Sequence, residues 1–360
     1  MKINIKLLKK LVSTESTSNN TKKRLEVLEL VKQSFKKNLI TKKYNFGGRP
    51  SLVLSNTNSK NLDLIISTHA DIVPANSKQF CLIERGDKLY GRGTYDMKAT
   101  MLICLQVLEA FTKKNPEKKV AVFVTTDEEL DGLSTKYLIE KAKYRAKFAI
   151  IPDGGGDCKL SIEQKGFMQI KINFKGKSSH ASEPWKAKNS IDIGMEFYKE
   201  LKKLFINPKK KSEWKDSVVL TKIISGNSIN QIPANATFIF DIRFVFGKKT
   251  TDILNKIKKV LPKNTSMEVI SQNGAHSIYK NNKFIKSLSA SIKKINNKQA
   301  RYVKDCSTSD AIFFTENKIP AVLLRPLGGN PHTENEWISK KSLEKFAIII
   351  NDFLENSKWL

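Results

Sequence analysis

No stretch of the 360-residue sequence stays apolar for the roughly 18–20 residues a membrane span requires. The first residues, MKINIKLLKKLVSTE, have basic character but no continuous apolar core and no small-residue cleavage site, so they read as an amphipathic helix rather than a leader. Cysteine is sparse and scattered: Cys81, Cys104, Cys158 and Cys306 form no C-x-x-C pair, which points to buried or free thiols in a reducing, cytoplasmic compartment. Acid is in short supply, with 35 Asp and Glu against 64 Lys and Arg, giving a net charge of +29. Such a charge raises nucleic acid as a partner, but the cations are overwhelmingly Lys, the poorer reader of phosphate and bases. They also run along the whole chain instead of gathering in one arm. Solvated surface lysine in a chain of Lys-, Asn- and Ile-rich composition is the reading adopted, with neither nucleic acid nor membrane as partner and with an attraction for anionic substrates left open.

Apolar residues make up 40% of the chain, enough for packed cores, and the length favours two domains. Residues 23–37 carry Leu25, Leu28, Val31 and Phe35 at helical spacing. The short β-branched runs at 62–67, 120–126 and 148–151 suit buried strands of a mostly parallel sheet, and helical patterns at 97–111 and 134–143 alternate with them. From Gly166 the pattern changes. Met168, Ile170, Ile172 and Phe174 alternate with polar residues, as do Phe238, Phe240, Ile242, Phe244 and Phe246 later, with helical stretches near 191–205 and 251–260. The expected architecture is an α/β domain (1–165 and 275–360) interrupted by a smaller α+β domain (166–274).

The chemistry-bearing residues sit at the ends of the expected strands, where open α/β sheets gather their sites. His69 and Asp71 follow the first run; a zinc ion can take one ring nitrogen of His69 while Asp71 accepts the other N–H. Asp96 follows the Gly-rich turn Gly91-Arg92-Gly93 and, taken alone, reads as a helix N-cap. Glu128 and Glu129 are adjacent carboxylates that can point apart, one to a metal and one to a water. Asp153 ends another strand, and His332 lies far downstream after Gly328-Gly329-Asn330-Pro331. A His/Asp/Glu set suits catalytic zinc, whereas structural zinc prefers cysteine-rich closed sites.

The segments H-x-D-x-V-P, G-R-G-x-x-D-M-K and T-x-D-E-E-x-x-G, followed by the late His, resemble the family of acetylornithine deacetylase, succinyl-diaminopimelate desuccinylase, aminoacylase and dipeptidase metallopeptidases. The resemblance implies two Zn2+ ions, with Co2+ or Mn2+ as substitutes: one held by His69, Asp96 and Asp153, the other by Asp96, Glu129 and His332. It implies Asp71 as the residue orienting His69, and Glu128 as general base. In the inserted domain, G-K-S-S-H-A-S resembles the segment carrying an oxyanion-stabilising His, here His180. N-Q-I-P followed by D-I-R resembles the segment carrying a substrate-carboxylate Arg, here Arg243, with Asn230 at its start. Ser309-Asp310 resembles a segment supporting the site, and His276 fits no motif. The expected enzyme is a homodimeric hydrolase cleaving an amide bond of a small anionic N-acyl amino acid or short peptide. Asp153 stands where deacylase members usually carry Glu, which draws the reading toward the dipeptidase branch. A non-catalytic binding protein is the contrasting class, and the full ligand set with Glu128 speaks against it.

Overall fold

The computed structural model describes residues 1–210 and 212–357. The chain divides into two compact units, one comprising Met1–Ile162, Ser277–Asp305 and Ser309–Leu360 and the other Glu163–His276 with Cys306–Thr308.

The first unit is built around a mixed sheet with four parallel strands at its centre, in the order Val120–Thr125, Asn61–His69, Arg145–Ile151, Ala321–Leu323. Antiparallel strands flank them: the hairpin Ile40–Phe46/Arg49–Ser55 on one side and Leu160–Gln164 on the other. Val120–Thr125 is buried along its whole length, as its unbroken apolar run demands of a strand covered on both faces. Helices supply that cover. The helix Ala99–Lys114 buries Met101, Leu102, Leu105, Leu108 and Phe111, and packs with the long closing helix Lys340–Asn356. Asparagine starts several helices throughout the chain. The side chains of Asn4, Asn20, Asn189 and Asn282 each accept a backbone N–H of the first turn, a donor that no intrahelical carbonyl can take.

The second unit is an antiparallel sheet in the order Ser217–Ser225, Asn235–Phe244, Gly166–Lys175, Thr265–Asn273. Its inward residues Met168, Ile170, Ile172, Phe174, Phe238 and Phe240 alternate with solvent-facing ones and pack on Phe197, Leu201, Ile253 and Ile257 of the helices Ser190–Leu204 and Thr250–Lys258. His276 is a core residue here, and burial pushes its imidazole down to about 4. Among the described residues, no helix is long and apolar enough to cross a membrane.

Candidate metal centre

Each of the four parallel strands ends in a side chain that enters one site. His69 is the last residue of Asn61–His69, Glu128 and Glu129 follow Val120–Thr125, Asp153 follows Arg145–Ile151, and Arg325 follows Ala321–Leu323. Asp96 comes from the turn Thr94–Lys98. It does not cap a helix: its backbone is extended (φ −127°, ψ 88°), its peptide bond to Met97 is cis, and the helix begins only at Ala99. The turn needs glycine at position 93, where φ is +79° and a Cβ would lie 2.8 Å from Ile72 Cγ2.

Two buried charged groups hold this turn. Glu336 accepts the backbone N–H groups of Tyr95 (2.9 Å) and Asp96 (3.1 Å) and pairs with Arg92 at 2.7 Å. Lys98 donates to the carbonyls of Leu11 and Thr14 at the end of the helix Ile5–Ser13, and burial pushes its ammonium down to about 7. Removing Glu336 leaves Arg92 buried without its carboxylate and two N–H groups unpaired. Glu336→Ala is therefore expected to lower stability by about 3–5 kcal/mol, and Glu336→Gln by less. Denaturant midpoints of the purified variants check this.

The carboxylate of Asp96 faces two ways. Its Oδ1 lies 3.4 Å from His69 Nε2, and its Oδ2 lies 3.2 Å from His332 Nε2, which also sits 3.0 Å from Glu129 Oε1. The potential ligand atoms of His69, Asp96 and Asp153 lie within 4.8 Å of one another, and so do those of Asp96, Glu129 and His332. Behind His69, its Nδ1 lies 3.1 Å from the carbonyl of Asp71 and 3.4 Å from that residue's Oδ1, while Asp71 Oδ2 accepts the N–H of Glu129. His69 and Asp71 are almost fully buried.

A cation fits this donor set. His69 Nε2 and Asp96 Oδ1 are buried with no hydrogen-bond partner, a rare condition for polar atoms unless something else engages them. Hydrogen bonds to Asp96 and Glu129 raise the His332 imidazole to about 10. Burial alone would lower the His69 imidazole, but the neighbouring carboxylates of Asp71 and Asp96 raise it well above its ordinary value. Burial, reinforced by Asp96, pushes the Asp153 carboxyl up to about 7. Burial would also raise Asp96, but the imidazoles of His332 and His69 beside it hold it far below the usual carboxylate range. The upward displacements of His69, His332 and Asp153 report a pocket crowded with carboxylates. The donors are imidazole and carboxylate without thiolate, which matches catalytic rather than structural zinc.

The sequence model of peptidase family M20/M25/M40 matches residues 65–356. The chain belongs to this family. It is accordingly a hydrolytic enzyme. Among curated relatives it is similar to a succinyl-diaminopimelate desuccinylase of Rickettsia bellii, 27% identical over 319 residues that cover 79% of each chain. It is also similar to an acetylornithine deacetylase of Buchnera aphidicola, 31% identical over 209 residues, 55% of each chain. Among solved structures, a tripeptidase from Staphylococcus aureus shares the fold with a TM-score of 0.82 at 20% identity, covering 99% of both chains.

The remaining expected site residues, His180, Asn230 and Arg243, belong to the second unit. The short strand Ser179–His180 pairs with Gln231–Ile232, and Ala181 N–H donates to the Asn230 carbonyl, which brings His180 and Asn230 together on an exposed turn. The N–H of Ser182 donates to His180 Nδ1, so the ring proton resides on Nε2. Arg243 is engaged by Asp241 through both its Nε (2.6 Å) and its Nη2 (3.0 Å), which leaves three of its five N–H donors.

Two residues at the site, Arg325 and Glu336, escape the motif reading. Arg325 lies just past the short apolar run at 321–324, and that position after a strand's carboxyl end is the signal available for it. Glu336 offers none, because its partners lie some 240 residues earlier.

Proposed function

We propose that this enzyme hydrolyses the amide bond of a small carboxylate-bearing substrate of the N-acyl amino acid type with two Zn2+ ions, for which Co2+ or Mn2+ can substitute. The observation that carries the reading is the two-sided presentation of Asp96 between the His69–Asp153 pair and the Glu129–His332 pair. In this assignment Asp96 is shared, His69 and Asp153 complete one ligand set, and Glu129 and His332 complete the other. Zinc supplies Lewis acidity when bound, polarising an amide carbonyl and easing deprotonation of water near neutral pH. Asp71 fixes the His69 ring through its Nδ1 side. Glu128 takes the proton from the attacking water and returns it to the leaving amine nitrogen. Burial, with Asp153 nearby, pushes its carboxyl well above the ordinary value, which suits a group that must hold a proton between the two transfers. His180 is assigned to the developing oxyanion, a role for which its Nε2–H is free to donate; Arg243, with Asn230, is assigned to the substrate carboxylate, and Arg243 retains donors beyond those given to Asp241.

The substrate class rests on the deacylase names of the curated relatives. Asp153, one methylene shorter than Glu, favours a second reading in which the amide belongs to a dipeptide. Zinc-loaded enzyme assayed against N-acetyl and N-succinyl amino acids beside dipeptides decides between them. Turnover of the acyl amino acids at least about tenfold above that of any dipeptide is expected, a difference of roughly 1.4 kcal/mol in transition-state stabilisation. The reverse ranking overturns the deacylase assignment.

The working form is proposed to be a homodimer in a reducing cytoplasm, in keeping with four free cysteines. The edge strand Ser217–Ser225 exposes Val219, Ile223 and Ile224, with Ile229 beyond it, and a sheet edge of this kind is a ready template for a second copy. Ile223→Lys with Ile224→Lys should convert dimer to monomer in analytical ultracentrifugation. A monomeric parent protein would overturn the assignment.

A further inference from the structure

Arg325 brings a cation against one of the ligand carboxylates. Its Nη1 donates to Asp153 Oδ1 at 3.1 Å, and its guanidinium carbon lies 4.0 Å from the centroid of the Tyr95 ring. The side chain is 17% exposed, and its buried Nε has no hydrogen-bond partner. Asp153 belongs to the His69–Asp96–Asp153 set alone, and among the described residues Arg325 makes no ion pair with Glu129. We propose that Arg325 tunes the two metal positions unequally, lowering the divalent-cation affinity of the His69–Asp96–Asp153 set, whose Asp153 it contacts directly, more than that of the Asp96–Glu129–His332 set. This inference rests on the two-metal reading above.

The sign follows from charge. Outer partners that strengthen a metal site do so by making its ligand more basic, as a carboxylate behind an imidazole N–H does; Asp71 stands in that relation to His69. A guanidinium on a ligand carboxylate does the opposite. It draws on the same negative charge that the metal needs, and in a poorly solvated pocket two cations sharing one carboxylate repel strongly. Orientation of Asp153 by a single hydrogen bond adds little to compensate, since the residue already sits at the end of a buried strand. The functional consequence is electrophilicity: a carboxylate that donates less leaves its metal a stronger Lewis acid. The pairing of a short Asp with a buried Arg thus tunes reactivity at the expense of affinity.

Half-site variants isolate the effect. His332→Ala retains the His69–Asp96–Asp153 set, and His69→Ala retains the other. Each is stripped with a chelator and titrated with Zn2+ against a chromophoric competitor, and with Co2+ followed by its visible absorption. In the His332→Ala background, Arg325→Gln is expected to tighten binding by about tenfold or more, the scale on which outer partners act. In the His69→Ala background the same change should alter binding by less than about threefold. Arg325→Lys, which keeps the charge, should leave binding in the His332→Ala background near its starting value. Arg325→Met, which retains an apolar contact with Tyr95, serves as the second uncharged variant should Gln disturb folding, as judged by circular dichroism. Unchanged or weaker binding in His332→Ala on removal of the charge overturns the proposal. Failure of the two-metal reading looks different: the parent protein would bind no Zn2+ or Co2+, or its stoichiometry would be indifferent to both histidine substitutions.

Discussion

Glu128→Ala is expected to reduce turnover by about 100- to 10,000-fold, the range for loss of a positioned general base, with the metal content of the protein unchanged. The separation of the two effects follows from adjacency on one loop. Glu129 lies against His332, whereas Glu128, the preceding residue, belongs to neither ligand set. A raised carboxyl at this position favours accepting a proton and giving it up again within one cycle, work that an amide or a methyl group cannot do. Glu128→Gln should lose nearly as much activity, because it preserves the shape and removes only the proton acceptor. Metal analysis beside steady-state assay of released amine provides the check. Turnover within a few-fold of the parent enzyme would remove Glu128 from its assigned role, and loss of metal along with activity would make it a ligand instead.

Asp96→Ala should have the largest consequence for the metals themselves. The other ligands each belong to a single set, so His332→Ala or Asp153→Ala is expected to remove or weaken one ion and leave the other. Asp96 serves both, so its loss should bring the metal content toward zero after dialysis and abolish measurable hydrolysis. The structural penalty should be modest by comparison, because the turn is held through backbone N–H groups and through Lys98 and Glu336, not through the Asp96 side chain. Elemental analysis of Asp96→Ala, Asp153→Ala and His332→Ala after identical loading tests the hierarchy. One full equivalent of metal retained by Asp96→Ala would show that the two sets do not depend on a shared carboxylate.

Much of the catalytic unit is legible in the sequence because two simple signals coincide. Short β-branched runs mark buried strands, and the residues just past them mark a site, so the positions of His69, the Glu128–Glu129 pair and Asp153 follow from one rule. The conformation at Asp96 is not legible in this way. A carboxylate after a Gly-rich turn and before a helix matches the local pattern of an N-cap, and only tertiary partners hold the backbone extended there. Those partners are ordinary charged residues in a chain crowded with them: Lys98 closes the G-R-G-x-x-D-M-K segment but its residue type gives no sign of burial, and Glu336 belongs to no motif. The second unit shows the same division. Its central strands announce themselves through strict alternation, as in Phe238, Phe240 and Ile242. The edge strand Ser217–Ser225 is harder to read because its apolar residues are not sorted cleanly between two faces. Arg243 is recognisable by motif, but its engagement by Asp241 depends on register within one strand face, where residues two apart lie side by side.

The position of Ala321–Leu323 in the sheet bears on how the protein is made. This strand leaves the ribosome some 170 residues after Arg145–Ile151, yet it seats beside that strand in the interior of the sheet. Until it arrives, Arg145–Ile151 presents an unsatisfied apolar edge, and His332 and Glu336 have not yet been synthesised. A nascent chain therefore carries an aggregation-prone seam over that interval, and its full ligand set waits on residues that follow the strand closing the seam. Completion of the sheet and assembly of the ligand set thus fall within one short stretch of synthesis, from Ala321 to Glu336.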